Sequence, residues 1–327
     1  MHRLPQGPEE IGNSDVPPGP FFCRGPVHNA RWIGHWNSHM TSPLTLCSAT
    51  ARCVLLPDRG GSVAGLWLGD WRVLQAPQSG APASGLDTAS YPLVPYSNRI
   101  GLGLLEWHGM RQQLAPLFAP EPHTIHGVGW SKAWQVVLQS ETEAILCYAH
   151  PGDAGWPFVF EVHQHFVLSA NALSLTMTVR NTDTVSAPFG LGWHPYFPKD
   201  AATRIEFQAT GRWDMGPDQL PTTHRPHAGL QTDCAQLQVD HCFSGWSGPA
   251  QLHYPGHRIA VTSDLQHLVV FTHPGRDTIA VEPVSHANNA LQLAGACAQT
   301  PESLGLRVVA PGAQTSAYMR ITFEEQI

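Results

Sequence analysis

The chain has 327 residues, of which only 13% are charged, and its formal net charge of −7 has no basic stripe to offset it. That balance argues against a nucleic-acid partner, which needs a clustered positive face. No run of about 18 apolar residues is present to cross a membrane as a helix, and 30 glycines with 29 prolines favour many strands and turns over long helices.

Residues 1–41 carry Pro5, Pro8, Pro17, Pro18 and Pro20 with no periodic pattern, so they are expected to form a flexible extension outside the fold. An arm joining a homodimer through Phe21, Phe22, Trp32 and Trp36 is the alternative use of this segment. Residues 42–327 show no composition break and are expected to form one domain. The start lacks the basic-then-apolar profile of a secretory signal. Seven scattered cysteines without a C-x-x-C pair fit reduced thiols, hence a cytoplasmic location, better than a disulfide framework or a zinc site. His163 and His165, two apart on one strand face, do not make a metal motif, and no metal is expected.

From Leu44 onward the pattern is β. Short apolar runs at 53–57, 63–67 and 71–74 are separated by the turns Asp58-Arg-Gly-Gly61 and Gly69-Asp70, and residues 76–90 read as a loop. The clearest hairpin spans 158–179, where Phe160, Val162, Phe166 and Leu168 share a face with Gln164 as the exception, and Leu173, Leu175, Met177 and Val179 follow. Further strands are expected around 204–207, 251–254, 259–262, 267–271, 278–281 and 316–323. No segment carries a capped 3.6-residue period. The fold class expected is all-β, a large sandwich or barrel.

Five stretches could carry chemistry. In Phe189-Gly-Leu-Gly-Trp-His194-Pro, alternation puts Gly190, Gly192 and His194 on one face, where two missing side chains leave room for a ligand or another backbone. Asn98 and Arg99 set an amide beside a guanidinium, an inventory suited to a polyhydroxylated ligand. His126 follows Ile125 and precedes Gly127, with Trp130 nearby as an aromatic plane that could pack on a sugar ring. Asp240 reads as a turn carboxylate that could touch ligand. Glu282 ends the apolar strand Thr278-Ile-Ala-Val281 just before Pro283, facing the same side as Ala280; burial there would raise its pKa and make it a usable base. Two histidines, two carboxylates and an Asn-Arg pair suggest proton transfer on a neutral polar molecule, without a cofactor.

Taken in order, Pro95-Tyr-Ser-Asn98-Arg99-Ile100, Ile125-His126-Gly127, Trp193-His194-Pro-Tyr-Phe197, Asp240-His-Cys-Phe243 and Val281-Glu282-Pro283 resemble the aldose 1-epimerase (galactose mutarotase) family, across roughly residues 45–325. The resemblance implies a galactose-mutarotase-like β-supersandwich that interconverts the α and β anomers of a free aldose. It implies Glu282 as general base, His194 as general acid, and His126 as the second histidine beside the sugar's ring or anomeric oxygen. Asn98, Arg99 and Asp240 would hold ring hydroxyls, and His194 would be protonated when Glu282 is not. Val128, where relatives often have a second glycine, and the Asn288-Asn289 pair, where an Asp is frequent, are departures that leave the sugar open. A hexose-6-phosphate mutarotase, which needs a cationic clamp, and a non-catalytic sugar-binding protein of the same fold are the rival readings.

Overall fold

A computed structural model describes residues 43–77, 82–117, 120–297 and 299–326. The expectations for residues 1–41 lie outside them. Nearly every element is a strand, as the Gly/Pro-punctuated sequence predicts, and two large sheets carry most of the chain. One has nine strands, including the hairpin Phe160–Leu168 and Ala172–Asn181, whose partners run in unbroken register from Phe160 opposite Asn181 to Leu168 opposite Leu173. The other has eight, among them Val239–Ser244, His267–Thr272, Thr278–Val284 and the short pieces Gly192–Trp193 and Pro92–Leu93.

Side chains alternate across a strand, and the eight-stranded sheet uses both of its faces. Leu268, Val270, Ile279, Val281 and Trp193 turn into the main core, where they meet Phe160, Val162, Met177 and Ile321 from the nine-stranded sheet. Val269, Ala280, Val284 and Tyr196 turn the other way and join a smaller apolar cluster with Tyr91 and Leu93. Gln164, the apparent flaw in the hairpin's apolar face, is fully used. Its Nε2 donates to the Gly61 carbonyl at 3.0 Å, and its Oε1 accepts from the Trp193 indole at 3.1 Å. The residue just before His194 is therefore anchored from the opposite sheet.

The stretch around His194 is three short strands, Ala187–Phe189, Gly192–Trp193 and Tyr196–Pro198, where the sequence suggested one. Its glycines do not clear a floor for ligand. A Cβ on Gly190 would collide with the His286 ring, and one on Gly192 would lie 2.6 Å from the Pro283 carbonyl oxygen. These positions admit neighbouring protein. Other departures have local causes. Asp240 lies within a strand, and the strand holding Glu282 runs on through Pro283 to Val284. Among the described residues one α-helix, Ala290–Ala296, follows Asn289, whose left-handed φ of 54° breaks the preceding extended chain. Trp130 is buried in the smaller cluster, with its backbone against Gly60 and Gly85, and is not a sugar platform.

His286 fills the space beside Gly190. Its Nε2 accepts the Ser97 N–H at 3.1 Å, which leaves Nδ1 to donate to the Ala287 carbonyl at 2.7 Å. Burial pushes the ring's pKa from 6.5 down to about 4. A depressed histidine binds its proton more readily in the unfolded chain, so its stabilising contribution is complete above pH 6.5 and is lost as pH falls toward about 4. Thermal midpoints should therefore drop over that interval, and His286→Gln should reduce the drop; an equal drop in both proteins would contradict the assignment. Gly190→Ala should cost about 1–3 kcal/mol, the usual range for overpacking, read as a lower denaturation midpoint.

Candidate active site

The site grows out of strand register. Gly192 pairs with Val284 and Tyr196 with Ala280, antiparallel, and the Val281 N–H reaches the Pro195 carbonyl at 3.3 Å. Counting inward from either end puts His194 directly opposite Glu282, as a cross-strand pair. Val269 flanks Glu282 on its other side, and the His194 N–H donates to the Tyr91 carbonyl at 3.0 Å. One row across the sheet thus reads Val269, Glu282, His194, Tyr91. The next row on the same face reads Asp240, Phe271, Ala280, Tyr196. Every one of these except Ala280 lines a cavity of about 430 Å³, large enough for a monosaccharide.

Loops close the sides. Arg99 pairs with Ile125 in a two-residue ladder, and the His126 N–H donates to the Asn98 carbonyl at 2.9 Å. Asn98 and His126 both take left-handed backbone, at φ 53° and 64°; Asn tolerates this conformation, whereas for His it is uncommon and marks a held position. Gly127 lets this segment lie against the Val94 carbonyl, where a Cβ would clash. The Asn98 N–H donates to His126 Nδ1 at 3.2 Å, and burial lowers the His126 pKa to about 3, helped by Arg99. The ring is therefore neutral, with its proton on Nε2. Arg99 grips Glu121 through Nε and Nη2, each at 3.3 Å, and also meets Gln219.

At the centre, His194 Nε2 and Glu282 Oε1 are 3.1 Å apart, with side chains only 5% and 2% exposed. Among the described residues, Glu282 Oε2 has no hydrogen-bond partner. Tyr91 stacks on the His194 ring at 4.6 Å and 23°, and the His126 ring meets it edge-on at 5.2 Å. Burial, and then the Asp240 carboxylate, push the Glu282 pKa up, while Arg99 opposes them. Burial, and then His126, push His194 down. Burial thus drives the pair toward a protonated carboxyl beside a neutral imidazole. This differs from the expectation of an imidazolium beside a carboxylate, because neither charge is comfortable in a dry wall. Asp240 is likewise raised by burial, with Arg99 and His241 pulling it back.

All six residues singled out from sequence line this one cavity: Asn98, Arg99, His126, His194, Asp240 and Glu282. Sequence reasoning missed Tyr91, Tyr196, Phe271, Arg276 and Gln219, which line it too. Tyr196 had a findable signal, since it sits two residues beyond His194 on the same face; Arg276, on a glycine turn, had none. Cys242 does not line the cavity; it is fully buried, and burial pushes its thiol up to about 12. Elsewhere, Cys147, Glu161 and His163 on the nine-stranded sheet place donor atoms within 4.8 Å of one another, and none of them lines the cavity. Among the described residues, no helix is long and apolar enough to cross a membrane.

Likeness to known proteins identifies the family. Residues 43–322 match the aldose 1-epimerase family model, and the chain belongs to that family. It is 30% identical over 284 residues to the uncharacterized Escherichia coli K12 protein YphB, covering 82% of this chain and 94% of that one. A crystal structure of an aldose 1-epimerase candidate from E. coli K12 superposes with a TM-score of 0.78 at 28% identity, over 87% of this chain and 99% of that one. A galactose mutarotase-like protein from Clostridium acetobutylicum shares the fold, with a TM-score of 0.75 at 16% identity over 86% and 95% of the two chains. The galactose-mutarotase-like architecture is thus the observed one.

Arg99 supplies the positive field felt by both carboxylates. Arg99→Gln should raise the pH at which the Asp240 carboxyl titrates, followed by carbon NMR of labelled protein. An unchanged or lowered midpoint would contradict the assignment.

Proposed function

We propose that the protein is a mutarotase, an isomerase that interconverts the α and β anomers of a free aldose. The observation that supports this most directly is the 3.1 Å contact between His194 Nε2 and Glu282 Oε1 on the cavity wall. Anomerisation needs a base for the hydroxyl on C1 and an acid for the ring oxygen on the same carbon. Two oxygens sharing one carbon call for a donor and an acceptor standing side by side, and a pair holding a single proton offers one of each.

As a sugar enters, its hydroxyl groups replace the contact, and the shared proton passes to His194. Glu282 then takes the proton from the anomeric hydroxyl while His194 protonates the ring oxygen, and the bond from C1 to that oxygen breaks. Rotation about C1–C2 turns the aldehyde, and the reverse transfers close the other anomer. The protein ends in its starting protonation state, so no cofactor enters the balance. The neutral His126 offers its Nε2–H as a fixed donor near the reacting carbon, while Asn98, Arg99 and Asp240 hold the remaining hydroxyls. The Tyr91 ring, stacked on His194, is better placed than water to support a transient imidazolium.

A binding-only protein has no use for a matched donor and acceptor at this spacing, which favours the catalytic reading. Polarimetry of freshly dissolved α-glucose and α-galactose with pure protein tests it: rotation should settle faster than in buffer. Glu282→Gln and His194→Asn should each lower kcat about 100- to 10,000-fold, the usual yield of one positioned acid or base. Full activity in either variant would remove that residue's role. The rate against pH should be bell-shaped: a second proton on the pair abolishes the base on the acid limb, and loss of the shared proton abolishes the acid on the alkaline limb.

A further inference from the structure

Two guanidinium groups line the cavity, and they are not equivalent. Arg99 is bidentate on Glu121, and its field reaches Asp240 and Glu282. Arg276 has no carboxylate within ion-pair reach among the described residues. It lies over the Phe271 ring at 4.9 Å and the Tyr196 ring at 5.9 Å, both on the cavity wall. Its field falls on Tyr91, Tyr196, His194 and Lys199, none of which is a carboxylate. Of the two carboxylates that act on Tyr196, Glu282 meets His194 at 3.1 Å, and Asp87 is engaged by Ala83 N–H, Ser84 N–H and the Ser84 hydroxyl at 2.9–3.1 Å.

The turn that carries Arg276 is held from both ends. The Arg276 N–H closes on the His273 carbonyl at 3.0 Å, and Lys199 Nζ donates to the same oxygen at 2.7 Å. On the far side, Gln75 Nε2 donates to Asp277 Oδ2 at 3.0 Å, and the Lys199 N–H donates to the Asp277 carbonyl at 2.7 Å. A guanidinium fixed in a cavity wall, backed by aromatic faces and unpaired, is a site for a planar or tetrahedral oxyanion. Neutral hydroxyls do not require it; Asn98, His126 and Asp240 already supply donors and acceptors for those.

We infer that the preferred substrate is an aldose bearing an anionic substituent, bound by Arg276 where it lies over Phe271 and Tyr196. This rests on the mutarotase reading and narrows it. The cationic group that a hexose-6-phosphate mutarotase needs is available on a turn residue that no motif includes. Either a carboxylate or a phosphate presents the required oxygens, and the two are separable by experiment.

Anomer exchange should be measured by NMR with the full chain on glucose, galactose, glucuronate, galacturonate and the two hexose 6-phosphates. In at least one series the acidic sugar should show kcat/KM at least tenfold above its neutral parent. Arg276→Gln should reduce that ratio tenfold or more, and Arg276→Lys, which keeps the charge without the fork, should fall between. A larger effect with uronates identifies a carboxylate, and with phosphates a phosphoryl group. Turnover of neutral sugars without acid preference, or a ratio untouched by Arg276→Gln in folded protein, overturns the inference and leaves the mutarotase reading standing. Spontaneous rates for every sugar would end both.

Discussion

Register between two strand segments is the constraint on which this site depends. Because Gly192 faces Val284 and Tyr196 faces Ala280, His194 must face Glu282, although Pro195 interrupts the ladder between them. A slip of one residue would send one partner into the hydrocarbon core and leave the other alone on the cavity wall. The register is itself enforced by contact: Gly192 lets the Pro283 carbonyl approach, His286 fills the notch at Gly190, and Trp193 is tied across the core to Gln164. Residues that never touch a sugar therefore fix the spacing of those proposed to transform it.

Burial does the rest. An exposed glutamate and histidine would hold their ordinary charges and be solvated independently. In the wall of this cavity each charged form is penalised, which pushes the carboxyl up and the imidazole down. Such an arrangement costs folding stability, and the fold limits that cost through Arg99, whose positive field reaches both Asp240 and Glu282.

The chain's letters revealed some of this and hid the rest for physical reasons. Period-two alternation exposed the hairpin at 160–181, and the five motif stretches contain all six residues that converge on the cavity. Alternation also placed Glu282 with Ala280, away from Ile279 and Val281. What a one-dimensional pattern could not resolve was which neighbour a glycine admits. The same small residues that suggested a ligand floor admit His286 and a strand backbone. Asp240 looked like a turn because Gly245 and Trp246 follow closely, yet its strand is held by pairing to His267–Thr272, a long-range contact. Tyr91, Phe271 and Arg276 enter the site only through sheet order, which local sequence does not encode.

The position of a bound monosaccharide relative to Glu282 and His194 is the decisive observation. In a crystal structure of the protein with an aldose, the anomeric hydroxyl should lie within hydrogen-bond reach, about 2.6–3.2 Å, of a Glu282 carboxylate oxygen, with the ring oxygen equally close to His194 Nε2. A sugar seated in the same cavity with its reducing carbon turned away from this pair would contradict the account.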